Sequence, residues 1–164
     1  MRGLARVLLI LALIWPVAVG AASKKPRAPE PAFPISEAVL KWINGYRANP
    51  EPGKLPEAVR AMGEFGQLRE LDTAGLQVGF IAGVLGTNPK TAHRLVAEMF
   101  PMPPEDQVIL VKAIAFSGLS NWKELLGAFN ERMPARKVLI EMYLYGDGKT
   151  LFELPLDEGA FVLD

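Results

Sequence analysis

Between residues 35 and 145 apolar side chains recur at intervals of three and four, and proline, glycine or asparagine punctuates the runs. That period is helical. No stretch alternates apolar and polar residues between strand-like turns, so the pattern predicts an all-α fold of about seven helices. The first is expected over residues 37–48, with Ser36 as N-cap and Val39, Ile43 and Tyr46 on one face bordered by Trp42. Asn49-Pro50 and Pro52-Gly53 break the chain. A second helix starts at Pro56, carries Val59 and Met62 inward and Glu57, Arg60 and Glu64 outward, and weakens at Gly63 and Gly66.

The third helix, residues 73–85, follows Asp72 and is apolar almost all round except for Gln77. Asn88-Pro89 reads as cap and first residue of a fourth, whose Ala92, Leu95, Val96 and Met99 follow the i, i+3, i+4, i+7 rule. Pro101, Pro103 and Pro104 separate it from a fifth, QVILVKAIAF, which Gly118 closes. Asn121 is expected to cap a sixth, with Glu124 completing a capping box and Trp122, Leu125, Leu126 and Phe129 on one face. The seventh runs over residues 134–145, and the remaining KTLFELPLDEGAFVLD adds at most a short helical turn and an extended end. Helices three and five, hydrophobic on every side, are expected to be surrounded by the amphipathic ones.

A faint repeat accompanies this order. Breaks at Asn49, Asn88 and Asn121 are 39 and 33 residues apart, and FIAGVLGTNPKTAHRLV aligns with AIAFSGLSNWKELLGAF at an offset of 33. Such periods suit stacked helix hairpins of the tetratricopeptide or HEAT kind, a short superhelix. A compact irregular bundle is the alternative. The phrases FIAGVLGTNP and AIAFSGLSNWKELL, within about residues 78–127, resemble uncharacterised exported bacterial helical proteins. The resemblance carries no activity, and the chain does not follow the tetratricopeptide consensus residue by residue.

Residues 1–22 read as a secretory signal: Arg2 and Arg6, an apolar run from Val7 to Ala22, and small residues Gly20 and Ala22 at the cleavage positions. The run, broken by Pro16, is shorter than the about 20 residues a spanning helix needs. An uncleaved anchor is the alternative. With no cysteine in the chain, neither lipid attachment nor a disulfide is available, so stability rests on the apolar core. The expected location is the periplasm or the outside of the cell. Residues 23–34, SKKPRAPEPAFP, with four prolines and three basic residues, read as a polyproline-type linker, and residues 35–164 as a single helical domain. That domain holds 13 basic and 17 acidic residues. The balance speaks against a nucleic-acid partner, whose phosphates call for a basic surface.

Catalytic candidates are sparse. His93 is the only histidine, at the edge of the apolar stripe of helix four, and offers zinc a single nitrogen ligand. Gly146-Asp147-Gly148-Lys149-Thr150 ends in GKT, but Tyr143 stands where a phosphate loop needs glycine, and a helix precedes it. Glu64, Glu70 and Asp72 cluster between helices two and three, while Glu105 and Asp106 suit the positive N-terminal end of helix five. No catalytic, cofactor or metal residues are assigned. Gly75, Gly79 and Gly83 recur every four residues in helix three, with Ala82 and Gly86 beside them. Each glycine costs about 1 kcal/mol in a helix interior, so the stripe is expected to pack tightly against helix one or five. Self-association is the alternative. Gly75, Gly79, Gly83 and His93 form the candidate interaction face. The functional expectation is a non-catalytic binding or scaffolding domain for a protein or peptide of the envelope. The alternative is an acid–base enzyme acting on cell-wall or other polysaccharide through carboxylates such as Glu64 or Glu70.

Overall fold

The structure is a computed structural model that describes residues 31–146 and Gly148, apart from the side chains of residues 71–73. Residues 1–30, 147 and 149–164, which include the expected signal and most of the expected linker, lie outside the described residues. Among the described residues there is no strand. The fold is all-α and compact: α1 (Ser36–Gly45), α2 (Leu55–Glu64), α3 (Leu71–Thr87), α4 (Ala92–Glu98), α5 (Gln107–Ala115), α6 (Trp122–Ala128) and α7 (Lys137–Tyr145). Short 3-10 turns fill two of the connections: Pro52–Lys54 between α1 and α2, and Asn130–Arg132 with Pro134–Arg136 between α6 and α7.

α5 is the centre of the molecule. It packs on α3, α6 and α7, while α2 packs on α1 and α4. Ile109, Leu110, Val111, Ala113, Ile114 and Ala115 are buried around its circumference, as a helix without a polar face requires. The stripes on α4 (Ala92, Leu95, Val96, with Met99 just beyond) and α6 (Leu125, Leu126, with Phe129 just beyond) are buried as their spacing predicts, and Trp122 is half-buried. The packed region reaches back to Phe33, which is buried with its ring 5.5 Å from that of Trp42 in an edge-to-face pair. Glu57 accepts a hydrogen bond from the Ala32 N–H at 2.9 Å.

α3 departs from expectation. It buries Val78, Ile81, Ala82, Val84 and Leu85, and also Gln77, but leaves Gly75, Leu76, Gly79, Gly83 and Thr87 exposed. Its amphipathicity is hidden in the sequence because the solvent face is made of glycine instead of charge. A Cβ on Gly75, Gly79 or Gly83 would meet nothing within 4 Å, so none of the described helices lies against the stripe. The close approach falls on Gly86, where a Cβ would collide with the Ser117 carbonyl oxygen at the end of α5.

Several ends are built differently from the sequence reading. Asn88 does not cap α4. It follows the last residue of α3, and its Nδ2 donates to the Val84 carbonyl at 2.8 Å, so it closes the preceding helix. α4 starts three residues later, with Thr91 in the N-cap position. Asn121 does occupy the N-cap position of α6, but its side chain makes no capping bond and the expected box is not formed. Ser36 lies inside α1 after Ile35 at the N-cap position, and its hydroxyl donates to Glu37 at 3.3 Å. Gly66, at φ +77°, ends α2, with the Gln67 N–H returning to the Met62 carbonyl at 2.8 Å.

Candidate functional site

An open groove of about 580 Å³ lies along the exposed side of α3, between it and the end of α1. Gly79, Phe80, Gly83 and Val84 contribute from α3, with Thr87 and Asn88 at its C-terminal end. Tyr46, Arg47 and Pro50 face them from the α1 side. The wall is held by three rings. Trp42, Tyr46 and Phe80 meet pairwise edge-to-face with centroids 5.2–5.4 Å apart, a geometry that sets positive ring edges against negative faces. Burial raises the Tyr46 hydroxyl above its ordinary pKa, and the nearby Asn88 side chain lowers it in part.

Residues 74–89 contain no charge at all, although Gly75, Leu76, Gly79, Gly83 and Thr87 face solvent. Leu76, 56% exposed, extends the stripe toward the N-terminal end of α3. On α1, Leu40 and Ile43 share a face by their i, i+3 spacing, with Leu40 exposed, and Arg47 stands in the turn just beyond the helix. The groove thus offers bare backbone, aromatic edges and aliphatic side chains, with one guanidinium at its rim.

His93 belongs elsewhere. It lines a separate recess of about 260 Å³ with Asn121, Glu124 and Leu125, between α4 and α6. It is exposed, and its ring lies 5.0 Å from that of Phe129. Of the four residues of the sequence-derived face, the structure brings Gly79 and Gly83 into one groove and sets His93 in another. Gly75 lies on the same stripe of α3 but does not line the groove.

The acids gather around Arg69. Its Nε and Nη2 donate to both oxygens of Asp106 at 2.7 and 2.9 Å, and Glu105 lies 3.7 Å from Nη2. These contacts, the Asp106 hydrogen bond first, raise the Arg69 pKa further above its ordinary value. Glu64 lines a cavity of about 210 Å³ with Arg69, Asp106, Met99 and Met102. The arrangement clamps the start of α5 to the α2–α3 connection. Among the described residues no group of three or more histidine or acidic side chains is placed to hold a metal ion, and no helix is long and apolar enough to cross a membrane.

Gly146 ends α7 and Gly148 donates to the Met142 carbonyl at 3.3 Å, so the described part of the GKT segment is a turn folded on a helix end; Asp147, Lys149 and Thr150 lie outside the described residues. Tyr46, Arg47 and Phe80 were not singled out from sequence as site residues. The signal that marks them is the charge-free run 74–89, together with aromatic residues on the helix before it. Comparison of the chain with family models, with curated proteins and with solved structures finds no match.

Proposed function

We propose that this is an exported, non-catalytic binding domain whose groove between α1 and α3 takes an apolar helical segment of a protein partner in the cell envelope. The observation that carries the reading is the exposed face of α3. A solvent-facing helix surface normally carries charge. This one has none over residues 74–89 and spends three glycines on a surface where nothing among the described residues needs the space. Each of those glycines costs about 1 kcal/mol of helix stability relative to alanine. An incoming helix offsets that cost, because bare backbone lets its axis come close and make broad van der Waals contact. Arg47 at the rim suits a carboxylate on the incoming segment. The signal-like N-terminus and the resemblance of residues 78–127 to exported helical proteins support the location.

The test fills the groove without disturbing the core. Gly79→Leu and Gly83→Leu place side chains in open space, so both variants should fold. Helical apolar peptides carrying one acidic residue, selected by display on the native protein, should bind it and lose at least tenfold in affinity to either variant. Arg47→Glu should weaken peptides with the acid and spare those without it. Selected peptides that bind the filled variants as well as the native protein would sink the reading.

A further inference from the structure

α2 carries two opposite charges one turn apart, Arg60 and Glu64, at the spacing where such residues ordinarily pair. Here they stay apart. Nη1 of Arg60 donates instead to the Glu98 carbonyl at 2.6 Å, at the C-terminal end of α4, where the helix dipole is negative. Glu64 makes no ion pair or hydrogen bond among the described residues. Both side chains line the cavity of about 210 Å³ between α2 and the connection from α4 to α5. Its apolar lining is Val59, Leu68 and Met99, all buried, with Met102 half-buried. Arg69 lines it as well, but both oxygens of Asp106 take up that charge. The cavity therefore combines an apolar interior with two exposed charges: a cation held only by a neutral carbonyl, and an anion without a partner.

We propose that this cavity binds a free α-amino acid with an apolar side chain of the size of leucine or methionine, its carboxylate on Arg60 and its ammonium on Glu64. The charge pattern selects the zwitterion. A simple carboxylate would stand against Glu64 and a simple amine against Arg60, and like charges brought together disfavour the complex. Arginine has five N–H donors, and Arg60 spends one on Glu98, which fixes the guanidinium and leaves donors for a carboxylate. Size sets the side chain. At about 30 Å³ for each water-sized group, the cavity takes roughly seven heavy atoms. That is room for a leucine or methionine whose charged groups sit at the mouth, and too little for a tryptophan. This inference stands apart from the groove on α3.

Isothermal titration of the purified chain with both enantiomers of leucine and of methionine tests it. At least one should bind saturably and one to one. Isocaproate and isoamylamine, which are leucine without its ammonium and without its carboxylate, should bind at least tenfold more weakly. Glu64→Gln removes no contact within the described residues, so the variant should fold with unchanged circular dichroism. It should lose at least tenfold in amino-acid affinity and narrow the gap to isocaproate. Three results overturn the inference: no saturable binding of any of the four amino acids up to about 10 mM, a one-charge analogue that binds as tightly as the amino acid, or undiminished amino-acid binding in the Glu64→Gln variant.

Discussion

Arg69 grips both oxygens of Asp106, yet the two side chains live in different surroundings: that of Asp106 is 1% exposed and that of Arg69 is 45% exposed. The two ends of this pair are therefore unequal to lose. Arg69→Met strands a carboxylate inside the protein and should be the more destabilising of the two changes. Asp106→Asn leaves a guanidinium that turns to solvent and should cost about 1–2 kcal/mol. Urea denaturation of the two variants checks the order; an equal or inverted pair of losses would contradict the assignment of burial.

The glycines of α3 divide into two kinds. Gly79→Ala and Gly83→Ala face open space and should each stabilise by up to ~1 kcal/mol, by removing unfolded-state entropy. Gly86→Ala drives a methyl into the Ser117 carbonyl and should cost about 1–3 kcal/mol or more, since backbone does not move aside cheaply. Thermal melts read the opposite signs directly. This reverses the expectation from sequence, in which all the stripe glycines pack against a neighbour.

Leu95 and Leu125 are buried on α4 and α6. Leu95→Ala and Leu125→Ala should each cost ~2–5 kcal/mol. His93→Ala removes an exposed ring tilted against that of Phe129 and should cost under about 1 kcal/mol. A histidine loss as large as the leucine losses would mean that α4 is rotated from the orientation described.

Mature protein recovered from cell fractions should begin near Ala22 or Ser23. Amino-terminal sequencing decides this, and an intact Met1 in membrane-bound material would show a retained anchor.

The number and order of the helices were legible because periodic apolar residues and prolines act locally. α5 could be placed at the centre from composition alone, for its Ile, Leu, Val and Ala leave no polar face. α3 deceived the same rule. Glycine counts as apolar in a pattern, but it leaves no side chain to bury, so a face of Gly75, Gly79 and Gly83 is compatible with solvent. Asparagine misled for a related reason. The residue type marks helix ends, but whether Asn88 finds a free carbonyl behind it or a free N–H ahead depends on where the next helix starts. Half of the groove was visible as a glycine stripe. The other half required knowing that α1 lies alongside, a long-range contact that no local spacing encodes.

The meeting of Gly86 with Ser117 has one more consequence, for alignment between α3 and α5. Where a backbone hydrogen touches a backbone oxygen, only one residue of α3 fits opposite Ser117. Slipping α3 by a single position brings Leu85 or Thr87 to that point, and either side chain would force the helices apart. The contact works as an index mark. It permits one setting of α3 along α5, and with it one placing of Gly79 and Gly83 relative to that central helix.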